Sequence, residues 1–357
     1  MSITASELAE RIGAQVRGDA STPLSGANTI DAAGPTEVTF LANRRYFAQL
    51  GTTAAGAIVV SPTDADNANG RWTGDDTAGR ALLVAEDPYF AFRQAMVAML
   101  GFRDRPAPGV HPSAFVDPAA AVGENCTIGP FCYVGPGATL GDGCVLWSHV
   151  SVLPGATLGQ GCDLYPHVTV YDRCVLGDRV RLHAGCSIGQ DGFGYATHGD
   201  NAPPQHHKIP PAGNAVVEDD VEMGAGCSID RATMGSTVIG AGSKFSNGVT
   251  VAHGCRVGKC NLFVAQVGLA GSVTTGNYVV MGGQVGVAGH LTIADRVQVA
   301  AKAGVVSDLT EVGAQYGGQP ARELSLAKRQ ILMGMRLPDI ASDVKKLKRD
   351  VKKLMGG

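Results

Sequence analysis

Aliphatic residues recur at every sixth position from Val110 to Ile188 without a gap: Val110, Val116, Val122, Ile128, Val134, Leu140, Leu146, Val152, Leu158, Leu164, Val170, Leu176, Leu182 and Ile188. A step of six matches neither the 3.6 residues of a helix turn nor the alternation of a lone strand. It is the hexapeptide period of a parallel β-helix, in which short strands form the flat faces of a prism. One apolar side chain per hexapeptide points inward, and coils stack at the strand spacing of about 4.8 Å. Val217, Met223 and Ile229 keep the step; four residues are then inserted around Arg231–Met234 before Ile239. Phe245, Val251, Val257, Phe263, Leu269, Thr275, Met281, Val287, Ile293, Val299 and Val305 continue it, Thr275 alone not being apolar. At three hexapeptides per turn the pattern predicts about ten coils.

Two regions flank the repeat. Residues 1–105 lack it and read as a small α/β domain: a short helix over Ser6–Ile12 with Ser6 as its cap, buried strands at Ala57–Ser61 and Ala81–Ala85, and an amphipathic helix over Pro88–Leu100. Arg105-Pro106-Ala107-Pro108-Gly109 reads as a linker. The solenoid then spans 110–312, broken by an excursion from Gln190 to Asn214 whose length and aromatics predict an ordered lid or groove wall. Residues 322–355 read as a helical extension, with Leu337, Ile340, Val344, Leu347, Val351 and Leu354 at coiled-coil spacing and a lysine-rich remainder. That remainder reads first as the solvated face of an oligomerising helix, and second as a basic patch for an acidic partner.

Composition refines this picture. Glycine frequently follows the inward residue, as at Gly123, Gly141 and Gly159, where a corner is expected to need its conformational freedom. Eight of the nine cysteines lie two places before an inward residue, which predicts small core side chains rather than disulfides or metal ligands; Cys260 is outside that register. A formal net charge of −3 gives no global basic field for nucleic acid. No apolar run reaches the length of a membrane span, and the first residues do not resemble a secretion signal, so a cytoplasmic chain is expected. Gly185-Cys186-Ser187-Ile188-Gly189 matches a serine-hydrolase pattern, but it falls inside the repeat, where no strand-to-helix elbow can form.

Of the nine histidines, His253 and His290 stand out: they are separated by two 18-residue coils plus one residue, which puts them along nearly one edge of the prism about 9–10 Å apart. Gly271 and Gly289 lie one and two coils on from His253, so the edge should border a groove. An imidazole is a suitable base near neutral pH, and the Gly271 amide is a candidate oxyanion donor. On the N-terminal side, Phe40 and Tyr46 flank Asn43, an arrangement suited to a flat base with polar edges, or else part of the domain core.

Specific stretches carry a family likeness. Phe40-Leu41-Ala42-Asn43-Arg44-Arg45-Tyr46, Asp191-Gly192-Phe193-Gly194-Tyr195, Lys208-Ile209-Pro210, Ile229-Asp230-Arg231 and Val251-Ala252-His253 together resemble the UDP-3-O-acylglucosamine N-acyltransferases of bacterial lipid A synthesis, over essentially the whole chain. The resemblance implies a left-handed parallel β-helix and a homotrimer with sites in grooves between neighbouring solenoids. It implies transfer of a 3-hydroxyacyl chain from the 4'-phosphopantetheine thioester of acyl carrier protein to the 2-amine of the UDP-sugar, with no bound cofactor and no metal. It implies His253 as catalytic base, His290 as a second functional histidine, Phe40 and Tyr46 as uracil-stacking aromatics and Asn43 as a nucleotide contact. Relatives can carry an acidic residue seven places before the base, where this chain has Ser246 followed by Asn247. The alternatives are another hexapeptide acyltransferase acting on a nucleotide sugar, and a non-catalytic β-helix scaffold. The related O-acyltransferase of the same pathway should lack a separate domain before residue 110.

Overall fold

The computed structural model describes residues 2–68, 80–199, 204–317 and 324–355. The chain divides into two compact units, Met1–Arg105 and Pro106–Gly357.

In the first unit, five strands form one sheet in the order Gln15–Gly18, Ala81–Val84, Ala57–Val60, Glu37–Phe40, Gly26–Ala27. The first pair is antiparallel and the others parallel. The two central strands are buried along their whole length, which explains their uninterrupted apolar sequences. Helices α1 (Ala5–Ile12), α2 (Pro62–Ala68) and α3 (Pro88–Leu100) accompany the sheet. The cap of α1 is Thr4, not the expected Ser6: the Thr4 hydroxyl accepts from the Glu7 amide while the Glu7 carboxylate accepts from the Thr4 amide. This reciprocal pair satisfies two otherwise orphaned donors. In α3, the Asp87 side chain accepts from the Phe90 amide and Pro88 opens the helix, where a missing N–H costs nothing.

The second unit is the solenoid. Among the described residues its strands form three parallel sheets of eleven, ten and nine strands. Partner residues on successive coils are 18 apart, as in Val134 with Val152 and Val251 with Leu269. Across the excursion the offset grows to 41, yet Leu176 still meets Val217 in register. From Ile128 onward the six-residue aliphatic series is buried in one core. Val110 and Val122 are exposed, because the first coil has no coil stacked beneath it. Thr275 is buried in the same core, where its hydroxyl accepts from Asn261 Nδ2 at 2.9 Å, so the one polar inward residue brings its own partner.

The glycines after the inward residue have a different reason from the one expected. Gly141 does not need a left-handed backbone; a Cβ there would lie 2.7 Å from the carbonyl carbon of Gly159 on the next coil. Close coil-to-coil approach, not turn conformation, excludes a side chain. The left-handed residues come two places later and are often not glycine, as at His149, His167, Cys260 and His290. Cys260 is thus an exposed turn residue. The other eight cysteines are buried, and most aim their thiol at a carbonyl of the next coil, for example Cys144 to Gly159 at 3.1 Å and Cys255 to Ala270 at 3.1 Å. Ser243 does the same to Gly258 at 3.1 Å. The position therefore selects a small side chain with a donor, where the sequence shows only smallness. Burial pushes the Cys255 thiol up to about 11, so it stays protonated and inert.

Helix α4 (Leu324–Leu354) runs unbroken through Pro338. No helix among the described residues is long and apolar enough to cross a membrane.

Candidate functional site

His253 sits two residues past the inward Val251, at the corner where the strand Thr250–Val251 ends. Gly271 and Gly289 occupy the same corner position one and two coils on, because Leu269 and Val287 stack in register on Val251. At this position the backbone N–H is not used by the coil ladder, which is why proline is tolerated at Pro130, Pro136, Pro154 and Pro166. The Gly271 N–H accordingly has no acceptor among the described residues, while its carbonyl accepts from the His290 amide at 3.0 Å. The structure thus brings His253, Gly271 and His290 to one edge. His253 is half-buried and His290 exposed in the left-handed turn.

Two glycines wall the His253 imidazole. A Cβ at Gly271 would come within 2.7 Å of His253 Cε1 and 2.9 Å of Nε2. A Cβ at Gly192 would come within 2.8 Å of His253 Cβ and 3.1 Å of Cδ2. Gly192 belongs to the excursion, which forms an antiparallel hairpin of Tyr195–His198 with Gln205–Lys208. The expected ordered wall is therefore a β-hairpin whose base touches the histidine. Gly189, the residue before the excursion, is tied by Arg231, whose guanidinium donates to Gly189 O at 2.6 Å and to Asp172 Oδ1 at 2.8 Å. Arg231 is buried, and Asp172 is held below the usual carboxylate range: burial opposes ionisation, but the hydrogen bonds from Arg231 and Arg173 outweigh it.

An acidic group near His253 comes from another coil. Asp230 follows Ile229, which stacks on Val251, so its carboxyl shares the neighbourhood of His253. Burial pushes the Asp230 carboxyl above the usual carboxylate range, opposed by a hydrogen bond from Gln190 and by the charges of His253 and Lys208. Gln190 Nε2 donates to Asp230 Oδ1 at 2.8 Å. The sequence does not show this proximity, because 23 residues is one 18-residue coil, the four inserted residues and one more, a spacing outside the repeat. Ser187 of the hydrolase-like pattern lies in the strand Ser187–Gln190, with no elbow.

Beside that edge runs a strip without side chains. The outward strand positions after Thr250 are Gly268, Gly286 and Gly304, and an added Cβ at any of the three would meet open space. The two coil steps from Gly268 to Gly304 make this strip about 10 Å long.

In the first unit, Phe40, Asn43 and Tyr46 line one cavity of about 490 Å³ together with Thr29, Asp31, Gln49 and Tyr89. Phe40 stacks on Phe92 at 4.4 Å and packs against the domain core, so it is core and cavity wall at once. Tyr46 is exposed. Asn43 Oδ1 accepts from the Arg45 amide and caps the 3-10 segment Arg44–Gly51. Gln49 Oε1 is buried with no hydrogen-bond partner among the described residues, and Gln49 lines the same cavity. Groups of acids, histidines and cysteines able to hold a metal ion are absent among the described residues.

Comparison with known proteins decides the family. A relative from Koribacter versatilis (strain Ellin345), UDP-3-O-acylglucosamine N-acyltransferase 1, is 49% identical over 346 residues, 96% of this chain and 97% of its own length. The chain belongs to the UDP-3-O-acylglucosamine N-acyltransferase family. Residues 21–97 match the family model described as UDP-3-O-(3-hydroxymyristoyl) glucosamine N-acyltransferase, LpxD, and residues 119–154 the bacterial transferase hexapeptide. The Burkholderia multivorans UDP-3-O-acylglucosamine N-acyltransferase is 49% identical over 282 residues, 77% of this chain and 76% of its own. Among solved structures, an Arabidopsis UDP-N-acetylglucosamine acyltransferase covers 61% of this chain and 75% of its own at 24% identity, with a TM-score of 0.48. As a member of the UDP-3-O-acylglucosamine N-acyltransferase family, the protein is an acyltransferase.

Proposed function

We propose that the chain moves a 3-hydroxyacyl group from the phosphopantetheine thioester of acyl carrier protein to the 2-amine of UDP-3-O-acylglucosamine, with His253 as the general base. The observation that carries this is the His253 imidazole, half-buried at a corner, seated between two glycines and next to the Asp230 carboxyl. In this reading the amine nitrogen attacks the thioester carbon while the imidazole takes its proton. The tetrahedral oxyanion accepts from the Gly271 N–H, a donor with no other partner among the described residues. The carbon–sulfur bond then breaks, and the imidazolium returns the proton to the departing thiolate. Asp230 stabilises the positive charge carried meanwhile by His253. Phe40 and Tyr46 flank the uracil, with Asn43 and Gln49 at its polar edge; His290 contacts the substrate at the groove. The glycine strip of about 10 Å receives part of the acyl chain.

The test is acyl transfer by purified His253→Ala with carrier-protein thioester and UDP-sugar. Turnover should fall by about 10²–10⁴-fold, the usual loss with a general base, at an unchanged melting temperature. Near-normal turnover would remove His253 from the role.

A further inference from the structure

We infer that Lys208 is a positioning residue for the His253 imidazole, acting through the carbonyl of Gly192. The inference rests on the reading of His253 as base and names what holds it.

An imidazole at a solenoid corner keeps its rotational freedom unless something walls it on both sides. Gly271 supplies one wall from the rigid coil ladder. The other wall, Gly192, lies in the excursion, outside the coil ladder. The Gly192 carbonyl accepts two hydrogen bonds, from Gly194 N at 2.9 Å and from Lys208 Nζ at 3.0 Å. Only the second crosses the hairpin. The same ammonium lies 3.5 Å from Asp191 Oδ2 and 5.4 Å from the centre of the Tyr195 ring. Lys208 stands opposite Tyr195 in the hairpin register, and Ile209 N donates to Gly194 O at 2.9 Å, which fixes where the lysine enters. One ammonium thus ties Asp191, Gly192 and Tyr195 to the return strand, and Gly192 is buried against the histidine. The Lys208 ammonium is thus engaged by its own loop through one hydrogen bond, one ion pair and one ring contact.

Misplacing a catalytic group by about 1 Å can cost about 10²-fold in rate. Lys208→Met should lower kcat by roughly 10-fold with the KM values for both substrates within about 2-fold, the pattern of a group that orients chemistry and not binding. Lys208→Arg, which keeps a cation and several donors, should recover kcat to within about 3-fold of the parent. Gly192→Ala drives a Cβ into His253 and should lower kcat by about 10²-fold. Because both changes act through one contact, the double variant should be no slower than Gly192→Ala alone by more than about 2-fold.

Additive losses in the double variant, or a raised KM at unchanged kcat for Lys208→Met, would overturn the inference; the second result would make Lys208 a substrate contact. Parallel assay of His253→Ala separates the two readings. An inactive His253→Ala beside a fully active Lys208→Met removes the brace and keeps the base. An active His253→Ala removes the base itself.

Discussion

Phe40 shows why a residue's role is settled by its two faces and not by its type. One face stacks on Phe92 within the domain core, and the same ring lines the cavity shared with Tyr46 and Asn43. Under the proposed nucleotide role, Phe40→Ala should weaken binding of the UDP-sugar by about 1–3 kcal/mol, by analogy with base stacking on aromatics in nucleic-acid sites. Calorimetry with each substrate separately checks it: carrier-protein affinity should not move, and equal weakening of both would leave Phe40 with its core role alone. His253 makes a complementary case. Its residue type and its place in the repeat were legible, but its acidic neighbour Asp230 was not, since the two meet across a coil boundary lengthened by an inserted loop.

At the scale of elements, the excursion depends on a buried cation at its root. Arg231 donates to Gly189, the residue before the excursion, and to Asp172 on the preceding coil. Removing Arg231 strips the Gly189 and Asp172 carbonyls of a buried donor and leaves the Asp172 carboxylate with Arg173 alone. Arg231→Met should therefore destabilise the chain by about 1–3 kcal/mol, less than for a fully enclosed pair because the Asp172 side chain is 40% exposed. Chemical denaturation would measure the loss. It should shrink as pH falls: Asp172 has a depressed pKa, so its contribution is present above the ordinary carboxylate range and disappears as the carboxyl protonates in the fold. An unchanged midpoint at neutral pH would show that the loop closes without the pair.

At the scale of the whole molecule, α4 presents Leu337, Val344, Leu347, Val351 and Leu354 to solvent in a single chain. An apolar stripe at coiled-coil spacing is stable when other helices cover it. With the groove beside His253 formed by one solenoid only, the proposed assembly is a homotrimer, and sedimentation equilibrium should give about three times 36.7 kDa. A stable, active monomer would contradict it. The lysine-rich face of the same helix is the proposed docking surface for the acidic carrier protein. Lys346→Glu with Arg349→Glu should raise the KM for the carrier-protein thioester and leave that for the UDP-sugar nearly unchanged, with the parent's carrier-protein KM itself rising with salt. Unchanged carrier-protein kinetics at low ionic strength would reduce the cluster to a solvated face.

The sequence alone determined the solenoid, because a coil that must bury one side chain every sixth residue writes that demand into consecutive positions, from Ile128 through Val305. It determined the helix over Pro88–Leu100 and the two buried strands of the first unit for the same reason: local burial has a local period. It also marked His253, Gly271 and His290 as neighbours, since an 18-residue coil converts chain distance into height. Tertiary structure alone decided what depends on contacts between coils and loops. The glycine after the inward residue answers to backbone on the next coil, the buried cysteines to a carbonyl above them, and Asp230, Gln190, Gly192 and Lys208 to a hairpin folded back on the edge. The coil-to-coil contacts keep fixed offsets of 15 and 18 residues, but the pattern does not name the partner atom; the hairpin contacts, 16 to 61 residues apart, have no period at all.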